Sequence, residues 1–341
     1  MSPRLGFDDL DWLFRFVAHC SARSAAAGLA SMLDLNTETG LLFDTLGCEA
    51  PTVELEKRGV LLVYERRESF EKARKALEHS DRFPAHVLGP AETARVEPSV
   101  LPDRIVGAIL RTEDRHVRPE SLVVALAELF ARYGGETREH TPCVNLLHNR
   151  GFITGARTRT GVLTAAQYVL AIGAELRSFG KGVGLRLPIM GARGYSYEVP
   201  SSALPLQRPI YLYDSRIAAT PFQAATRVAG ILEIGAGEAS SRGGAIEAMH
   251  HATRHVLRVA VDASIQNRWS GLRPLTPDGL PLIGRPRSYQ NLFVAGGHGM
   301  LGVTLSLRTG TAITGILSGV HDPALTPFRP DRFDRRRVGV A

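Results

Sequence analysis

The sequence has few cysteines and no long hydrophobic run. Its 341 residues include three cysteines, Cys20, Cys48 and Cys143, which lie far apart and form no CxxC pair. This pattern argues against a disulfide framework or a zinc site and is typical of a reducing compartment. No apolar stretch reaches the roughly 20 residues that cross a bilayer, and the first residues do not resemble a signal peptide. We expect a cytoplasmic protein whose membrane contact, if any, is peripheral, through Asp11–Val17 or the basic C-terminal end.

Lysine is scarce. Only four of the 41 basic Lys and Arg residues are lysines, and the formal net charge is +7. A basic surface can indicate a nucleic-acid partner. Here the arginines are scattered without interleaved aromatic residues, and the one dense run is Arg335–Arg337. We interpret the excess as a solvated surface and expect no nucleic-acid partner.

The motifs of several enzyme classes are also missing. The sequence contains no GxSxG elbow, no P-loop and no HExxH, so hydrolase, nucleotide-triphosphatase and zinc-protease functions have no support. Gly235 and Gly237 resemble the start of a dinucleotide-binding loop. No strand–helix–strand unit of about 30 residues surrounds them, so we predict an ordinary loop there, and we expect no metal site.

Composition and periodicity predict a mixed α/β (α+β) fold. Hydrophobic residues make up 44% of the chain, which is ordinary for a globular protein large enough for two domains. Strand-like alternation over residues 141–167 and 194–233 predicts two groups of strands, the second forming an antiparallel sheet. The spacing of apolar residues predicts helices at Asp8–Leu46, Pro119–Tyr133, Ala245–Val261 and Thr304–Leu317.

The run from Trp269 to Gly310 contains the candidate chemistry. Arg273 stands in an apolar Gly-Leu-Arg-Pro turn, and its planar guanidinium matches a carboxylate. A structural ion pair with Asp278 is the alternative that the residues leave open. The glycine-rich loop Ala295–Gly302 follows a strand and leads into a helix, where backbone amides stabilise negative charge and a flat ring can approach. A plain tight turn is the alternative for this loop, and an ordinary loop histidine is the alternative for His298.

These residues resemble a known family. Trp269–Gly284, then Asn291-Leu292 and Gly297–Gly302, is similar to the C-terminal signature of the FAD-dependent D-amino-acid dehydrogenases. That family belongs to the wider glycine oxidase and D-amino-acid oxidase group. Tyr168–Ala174 and Gly194–Ser196 agree with it, and the resemblance extends over nearly the whole chain.

The resemblance implies an FAD-binding Rossmann-like domain interleaved with an antiparallel-sheet substrate domain. The substrate domain would comprise residues 1–105 and 186–268. The remaining part of the FAD-binding domain would comprise residues 106–185 and 269–330, and residues 331–341 would form a basic tail.

The resemblance also implies an activity: hydride transfer from the Cα–H of a small amino acid to FAD, giving an imino acid and then a keto acid and ammonia. Arg273 would bind the substrate carboxylate and Tyr195 would shape the pocket, with no side chain acting as a catalytic base. The electron acceptor would be oxygen, a quinone or another carrier. The implied cofactor-binding residues are Val144, Ala171, Gly173, Ala174, Gly297, His298, Gly299, Met300, Leu301, Gly302, Val303 and Thr304.

The sequence departs from the family at its start. Family members begin with a strand, a GxGxxG loop, a helix and an acidic ribose ligand, whereas residue 1 corresponds to a point beyond that unit. We therefore expect an incomplete Rossmann-like domain. Three explanations stay open: a truncated chain or misassigned start, a second polypeptide that supplies the unit, or a non-catalytic relative that no longer binds FAD alone.

Overall fold

The computed structural model describes residues 6–78, 84–234 and 244–334. Helices and strands are interspersed along these ranges, which confirms the mixed α/β class. The helices are α1 (Phe7–His19), α2 (Ala22–Leu35), α3 (Thr39–Glu49), α4 (Arg67–Leu77), α5 (Pro90–Val96), α6 (Pro119–Arg132), α7 (Leu176–Gly182), α8 (Ala245–Val256) and α9 (Ser306–Leu317).

The strands number sixteen within the described ranges. They are β1 (Leu55–Glu56), β2 (Val60–Tyr64), β3 (Ala85–Leu88), β4 (Gly107–Arg111), β5 (His116–Val117), β6 (Cys143–Asn149), β7 (Phe152–Thr158), β8 (Val162–Leu163), β9 (Tyr168–Leu170), β10 (Met190–Pro200), β11 (Ile210–Leu212), β12 (Ile217–Pro221), β13 (Ala225–Ile234), β14 (Gln266–Leu275), β15 (Leu282–Gly284) and β16 (Leu292–Gly296).

An eight-stranded sheet dominates the fold. Its order is β14-β10-β13-β12-β11-β2-β4-β3, and every neighbouring pair is antiparallel except β11 and β2. One face packs on α8, where Met249 and Val256 join buried strand residues such as Leu61, Val63 and Tyr197 in a single core. Side chains alternate along each strand, so half of the side chains of the sheet lie on the face away from α8.

β14 corrects one expectation. The Gly-Leu-Arg-Pro segment, predicted as a turn, lies inside a ten-residue strand that pairs with β10. β14 is at the edge of the sheet, and an edge strand accepts Pro274 because its outer side has no ladder hydrogen bond to lose. Arg273 is therefore held by regular strand geometry.

A smaller sheet of order β15-β16-β9 forms the second layer, with β9 parallel to β16. Ile283 and Phe293 from this sheet pack with Leu305, Ile313 and Leu35 in a second core. β6, β7 and β8 form a separate three-stranded sheet. The predicted domain boundaries stay a prediction, although β4 and all of β14 belong to the eight-stranded sheet.

Two predicted helical regions differ in extent. The region Asp8–Leu46 is divided into three helices, with Ser21 capping α2 through a hydrogen bond from the Ser24 amide. α8 ends at Val256, before the predicted Val261, because the next residues leave the helix and the Arg258 amide donates to the Ser99 carbonyl at 2.7 Å. The predicted loop at Gly235 and the run Arg335–Arg337 lie outside the described residues.

Among the described helices, none is both long and apolar enough to cross a membrane.

Candidate active site

Arg273 lies where β14 pairs with β10. Its register partner is Ala192, and its side chain crosses the backbone of Gly194. A Cβ atom at Gly194 would lie 2.6 Å from the Arg273 Nε and 3.2 Å from its Nη2. A glycine at position 194 is therefore required for the guanidinium to occupy this position.

The guanidinium of Arg273 has no acidic partner and no hydrogen bond within the described residues. Asp278, the alternative partner, is instead bound by Arg332, with 2.7 Å between Nε and Oδ2. Partial burial lowers the pKa of Arg273 from its usual value, but an arginine remains charged at neutral pH. A half-buried cation without a counter-ion is a strong candidate for an anion site.

The glycine loop is joined to the same end of β14. His298 forms an isolated bridge with Leu275, and the Gly299 amide donates to the Pro274 carbonyl at 2.9 Å. Gly297 has φ +72°, and a Cβ there would lie 2.8 Å from the Thr276 Cγ2. These contacts bring the loop to within two residues of Arg273 along β14.

The end of the loop offers free hydrogen-bond donors. In the part of the chain that the structure describes, the amides of Gly302, Val303 and Thr304 donate to no protein acceptor. α9 begins at Ser306, two residues after the predicted start, so these amides immediately precede a helix. The positive end of a helix stabilises negative charge.

The loop also carries exposed apolar side chains and one half-buried imidazole. Met300, Leu301 and Val303 are exposed. The His298 Nε2 lies 2.9 Å from the Thr309 Oγ1, and burial lowers the pKa of His298 to about 4. His298 is therefore neutral at physiological pH and is not a charged acid there.

The turn after β9 approaches the site from the second layer. Ala171 and Ile172 lead into a 3₁₀ turn, Gly173–Glu175, which lies against β14. Gly173 has φ +59°, and no atom lies within 4 Å of a Cβ built there. The predicted residues Gly173 and Ala174 belong to this turn and so lie beside the strand that carries Arg273, and Ala171 precedes the turn by two residues.

Two predicted site residues are not brought together with Arg273. Tyr195 alternates with Gly194 along β10, is buried in the core beneath α8, and donates from its hydroxyl to Glu233 at 2.6 Å. It therefore faces away from Arg273. Val144 lies on the separate sheet that contains β6. Their proposed roles stay predictions that this geometry does not support.

Trp269 is a feature of the site that sequence reasoning did not assign. It lies on the same face of β14 as Gly271 and Arg273, and its indole crosses Gly271. The two-residue spacing of Trp269, Gly271 and Arg273 contains this information, because residues two apart on a strand share a face. The spacing predicts a shared face only if the segment is a strand, and the sequence predicted a turn there.

These features fit the ring end of a flavin. Free amides suit a reduced ring that gains negative charge, glycines that admit no Cβ allow a close approach, and exposed apolar side chains suit a planar aromatic group. Within the described residues, no group of three or more His, Cys, Asp or Glu side chains could hold a metal ion. The fold and the site together define a flavin-type oxidoreductase.

Comparison with known proteins gives the family. Residues 13–316 match the model of the FAD dependent oxidoreductase family, and the chain belongs to that family. It is 30% identical to a D-amino acid dehydrogenase of Paramagnetospirillum magneticum over 90% of this chain and 74% of that protein. It is 28% identical to a D-amino acid dehydrogenase of Methylobacterium nodulans over 93% of this chain and 77% of that protein.

Solved structures of other proteins share the fold of this chain. Glycine oxidase from Geobacillus kaustophilus superposes with a TM-score of 0.80 at 23% identity, covering 91% of this chain and 83% of that one. L-proline dehydrogenase from P. horikoshii superposes with a TM-score of 0.76 at 17% identity, covering 88% and 83%. The resemblance inferred from the C-terminal signature is therefore confirmed.

Proposed function

We propose that this protein oxidises the Cα–N bond of a small D-amino acid, using FAD. The observation that carries the proposal is the uncompensated Arg273 guanidinium beside a loop with free amides. The family, and the D-amino acid dehydrogenases among its relatives, support the choice of substrate and cofactor.

Arg273 binds and orients the substrate carboxylate. Its fork of N–H donors matches both carboxylate oxygens. Strand pairing with Ala192 fixes the backbone from which it extends. Partial burial strengthens the ion pair relative to one in water. Holding the carboxylate in one orientation fixes the direction of the Cα–H bond, and this positioning accelerates a reaction between bound partners.

The glycine loop stabilises negative charge that develops next to the bound substrate. The amides of Gly302, Val303 and Thr304 and the start of α9 provide that stabilisation without any charged side chain. FAD, when bound, would supply the two-electron acceptor for the hydride from Cα–H, and the resulting imino acid would add water and release ammonia to give a keto acid.

No side chain of the site is placed to act as a base. Burial lowers the pKa of His298 to about 4, which makes its imidazole a weak base, and its Nε2 lies 2.9 Å from the Thr309 hydroxyl oxygen. The substrate amine therefore loses its proton to solvent, and its lone pair drives the departure of hydride. We expect activity to rise with pH towards the ionisation of the substrate amine.

Substitution of Arg273 tests the proposal. Arg273→Leu should reduce kcat/KM by at least a hundredfold, because a charged hydrogen-bonded pair is lost, and Arg273→Lys should restore part of it. The flavin absorbance of the purified protein should be unchanged in both variants. Arg287→Leu is the matched control, because the Arg287 side chain is 77% exposed. Unchanged kinetics for Arg273→Leu would remove the carboxylate assignment.

A second candidate function is a non-catalytic partner subunit, and one observation favours it. β9 is at the edge of its sheet, and Val169 and Ile172 beside that edge are exposed. Such an edge can accept a strand from a second polypeptide that supplies further cofactor contacts. A visible spectrum of the purified chain with added FAD distinguishes the two: stoichiometric flavin absorbance supports the enzyme, and its absence supports the partner subunit.

The identity of the electron acceptor depends on whether the protein contacts a membrane. α1 exposes Phe7, Leu10, Phe14 and Val17 along one side, and an apolar stripe of this kind supports peripheral membrane contact and a quinone acceptor. Sedimentation with neutral phosphatidylcholine vesicles tests this: Phe14→Asp should lose binding. Substrate-dependent oxygen uptake in place of quinone reduction would support an oxidase.

A further inference from the structure

Two glycines face each other within the β10–β14 pair. Gly194 and Gly271 are register partners, so neither strand contributes a side chain at that point. Arg273 crosses Gly194 and the Trp269 indole crosses Gly271. Because Trp269, Gly271 and Arg273 alternate along β14, all three lie on one face of the sheet. The guanidinium of Arg273 and the indole of Trp269 therefore lie side by side over backbone that has no side chains of its own.

The indole of Trp269 is largely uncovered. Trp269 is 58% exposed, whereas Trp12, the other tryptophan of the chain, is 1% exposed. Among the described residues, Trp269 makes no stacking or cation–π contact. An exposed indole is costly to leave in water and is a frequent anchor in binding sites.

The rows of this face at Arg273 and Gly271 are apolar, whereas the row of Trp269 holds Ser196 and the following row holds the buried ion pair of Glu198 with Arg227. In the register of β10 and β13, Leu232 pairs with Gly194 and Ile234 pairs with Ala192. Of these side chains, none carries charge, so Arg273 is the only charged group in these rows. A substrate whose carboxylate binds Arg273 therefore presents its side chain to apolar neighbours and to the indole.

We propose that Trp269 determines specificity by packing against the substrate side chain, and that the preferred substrates are amino acids with an apolar side chain of several carbons. This inference rests on the proposed role of Arg273 in binding the carboxylate. Glycine would leave the indole uncovered. A charged side chain would lose water against the indole without gaining a partner of opposite sign. Each methylene covered should improve binding about fourfold.

Intrinsic fluorescence measures this binding without catalysis. Trp12→Phe leaves Trp269 as the only tryptophan, since the chain has two. Acetate and butyrate are suitable probes, because a carboxylate without an amine is not oxidised at Cα. We expect butyrate to shift the Trp269 emission to shorter wavelength and to bind more than tenfold more tightly than acetate. Arg273→Leu should abolish binding of both, detected by calorimetry.

Substitution of Trp269 isolates its contribution. In Trp269→Ala the calorimetric preference for butyrate should fall below threefold while acetate still binds, and Trp269→Phe should keep an intermediate preference. If Trp269→Ala does not fold by circular dichroism, the Phe variant carries the test. Equal binding of acetate and butyrate through Arg273 would overturn the substrate-class inference and leave the proposed function intact. Binding unaffected by Arg273→Leu would overturn the proposed function itself.

Discussion

Arg332 holds Asp278 through two parallel hydrogen bonds, Nε to Oδ2 at 2.7 Å and Nη2 to Oδ1 at 2.8 Å. The same guanidinium donates to the carbonyls of Leu280 and Pro281. This arrangement fixes the Pro-Asp-Gly turn that follows β14. It also removes the carboxylate nearest to Arg273 in sequence, so that Arg273 stays available for an anionic ligand.

Loss of the Arg332–Asp278 pair should lower the free energy of unfolding. The Arg332 and Asp278 side chains are 13% and 12% exposed, and removal of one partner from a buried pair costs about 3 kcal/mol. We expect Arg332→Ala to lower the free energy of unfolding by that order in urea denaturation. Arg287→Ala removes an exposed side chain whose partner Asp331 keeps its pair with Arg329, so it should change the free energy of unfolding little. Equal effects of the two variants would contradict the role given to Arg332.

The Asp278–Arg332 pair also illustrates what the sequence could and could not predict. Sequence proximity suggested an Arg273–Asp278 pair, but the true partner lies 54 residues further along the chain. Local patterns located the apolar helix behind the glycine loop and the strands around Tyr195. They could not locate an edge strand containing Gly271 and Pro274, because strand pairing overrides the turn propensity of those residues. Without that strand, the side-by-side arrangement of Trp269 and Arg273 was not predictable.

His298 should make stability depend on pH between about 4 and 6.5. Burial lowers the pKa of His298 in the folded protein to about 4, below the value of about 6.5 in an unfolded chain. The unfolded state therefore binds more protons in this range, and stability is present above pH 6.5 and lost as the pH falls. Unfolding measured from pH 7 to pH 4 should show a loss on the order of 2 kcal/mol.

His298→Gln is the control for this dependence. It removes the titrating group and should flatten the curve between pH 6.5 and 4. An NMR titration of the His298 ring in the wild-type protein should give a midpoint near 4. A midpoint above 6 would mean that the ring is solvated in the folded protein.

Glu198 should contribute stability that is lost at lower pH. It is 2% exposed and accepts hydrogen bonds from Asn267, Arg227 and Arg118. Burial opposes ionisation, but the bonds from Asn267 and Arg227 outweigh it and lower the pKa of Glu198. The stability is therefore present above the unfolded value of about 4.3 and is lost as the pH falls through the lower folded value.

Replacement of Glu198 distinguishes the stability contributed by its buried ion-pair cluster from that contributed by ion pairs on the surface. Glu198→Gln removes the buried carboxylate and leaves Arg118 and Arg227 with the exposed Glu120 as their anionic partner, and it should cost about 2 kcal/mol at pH 7. Part of the acid sensitivity below pH 4 should disappear with it. Glu136→Gln is the matched variant, because the Glu136–Arg138 pair is exposed, and it should have no measurable effect in urea denaturation.

Alanine at Gly297 should damage the site, whereas alanine at Gly310 should not. Gly297 has φ +72°, and a Cβ there would lie 2.8 Å from the Thr276 Cγ2, so alanine adds both backbone strain and a clash. We expect Gly297→Ala to lower the free energy of unfolding by about 2 kcal/mol. It should also weaken flavin binding, measured by the free FAD released on dilution.

Gly310 is the matched position, because it lies within α9 and no atom lies within 4 Å of a Cβ built there. Gly310→Ala should therefore stabilise the protein by about 0.5–1 kcal/mol, since it restricts the unfolded chain and favours the helix. Flavin binding should be unchanged. If both variants behaved alike, the loop conformation at Gly297 would have no special part in holding the cofactor.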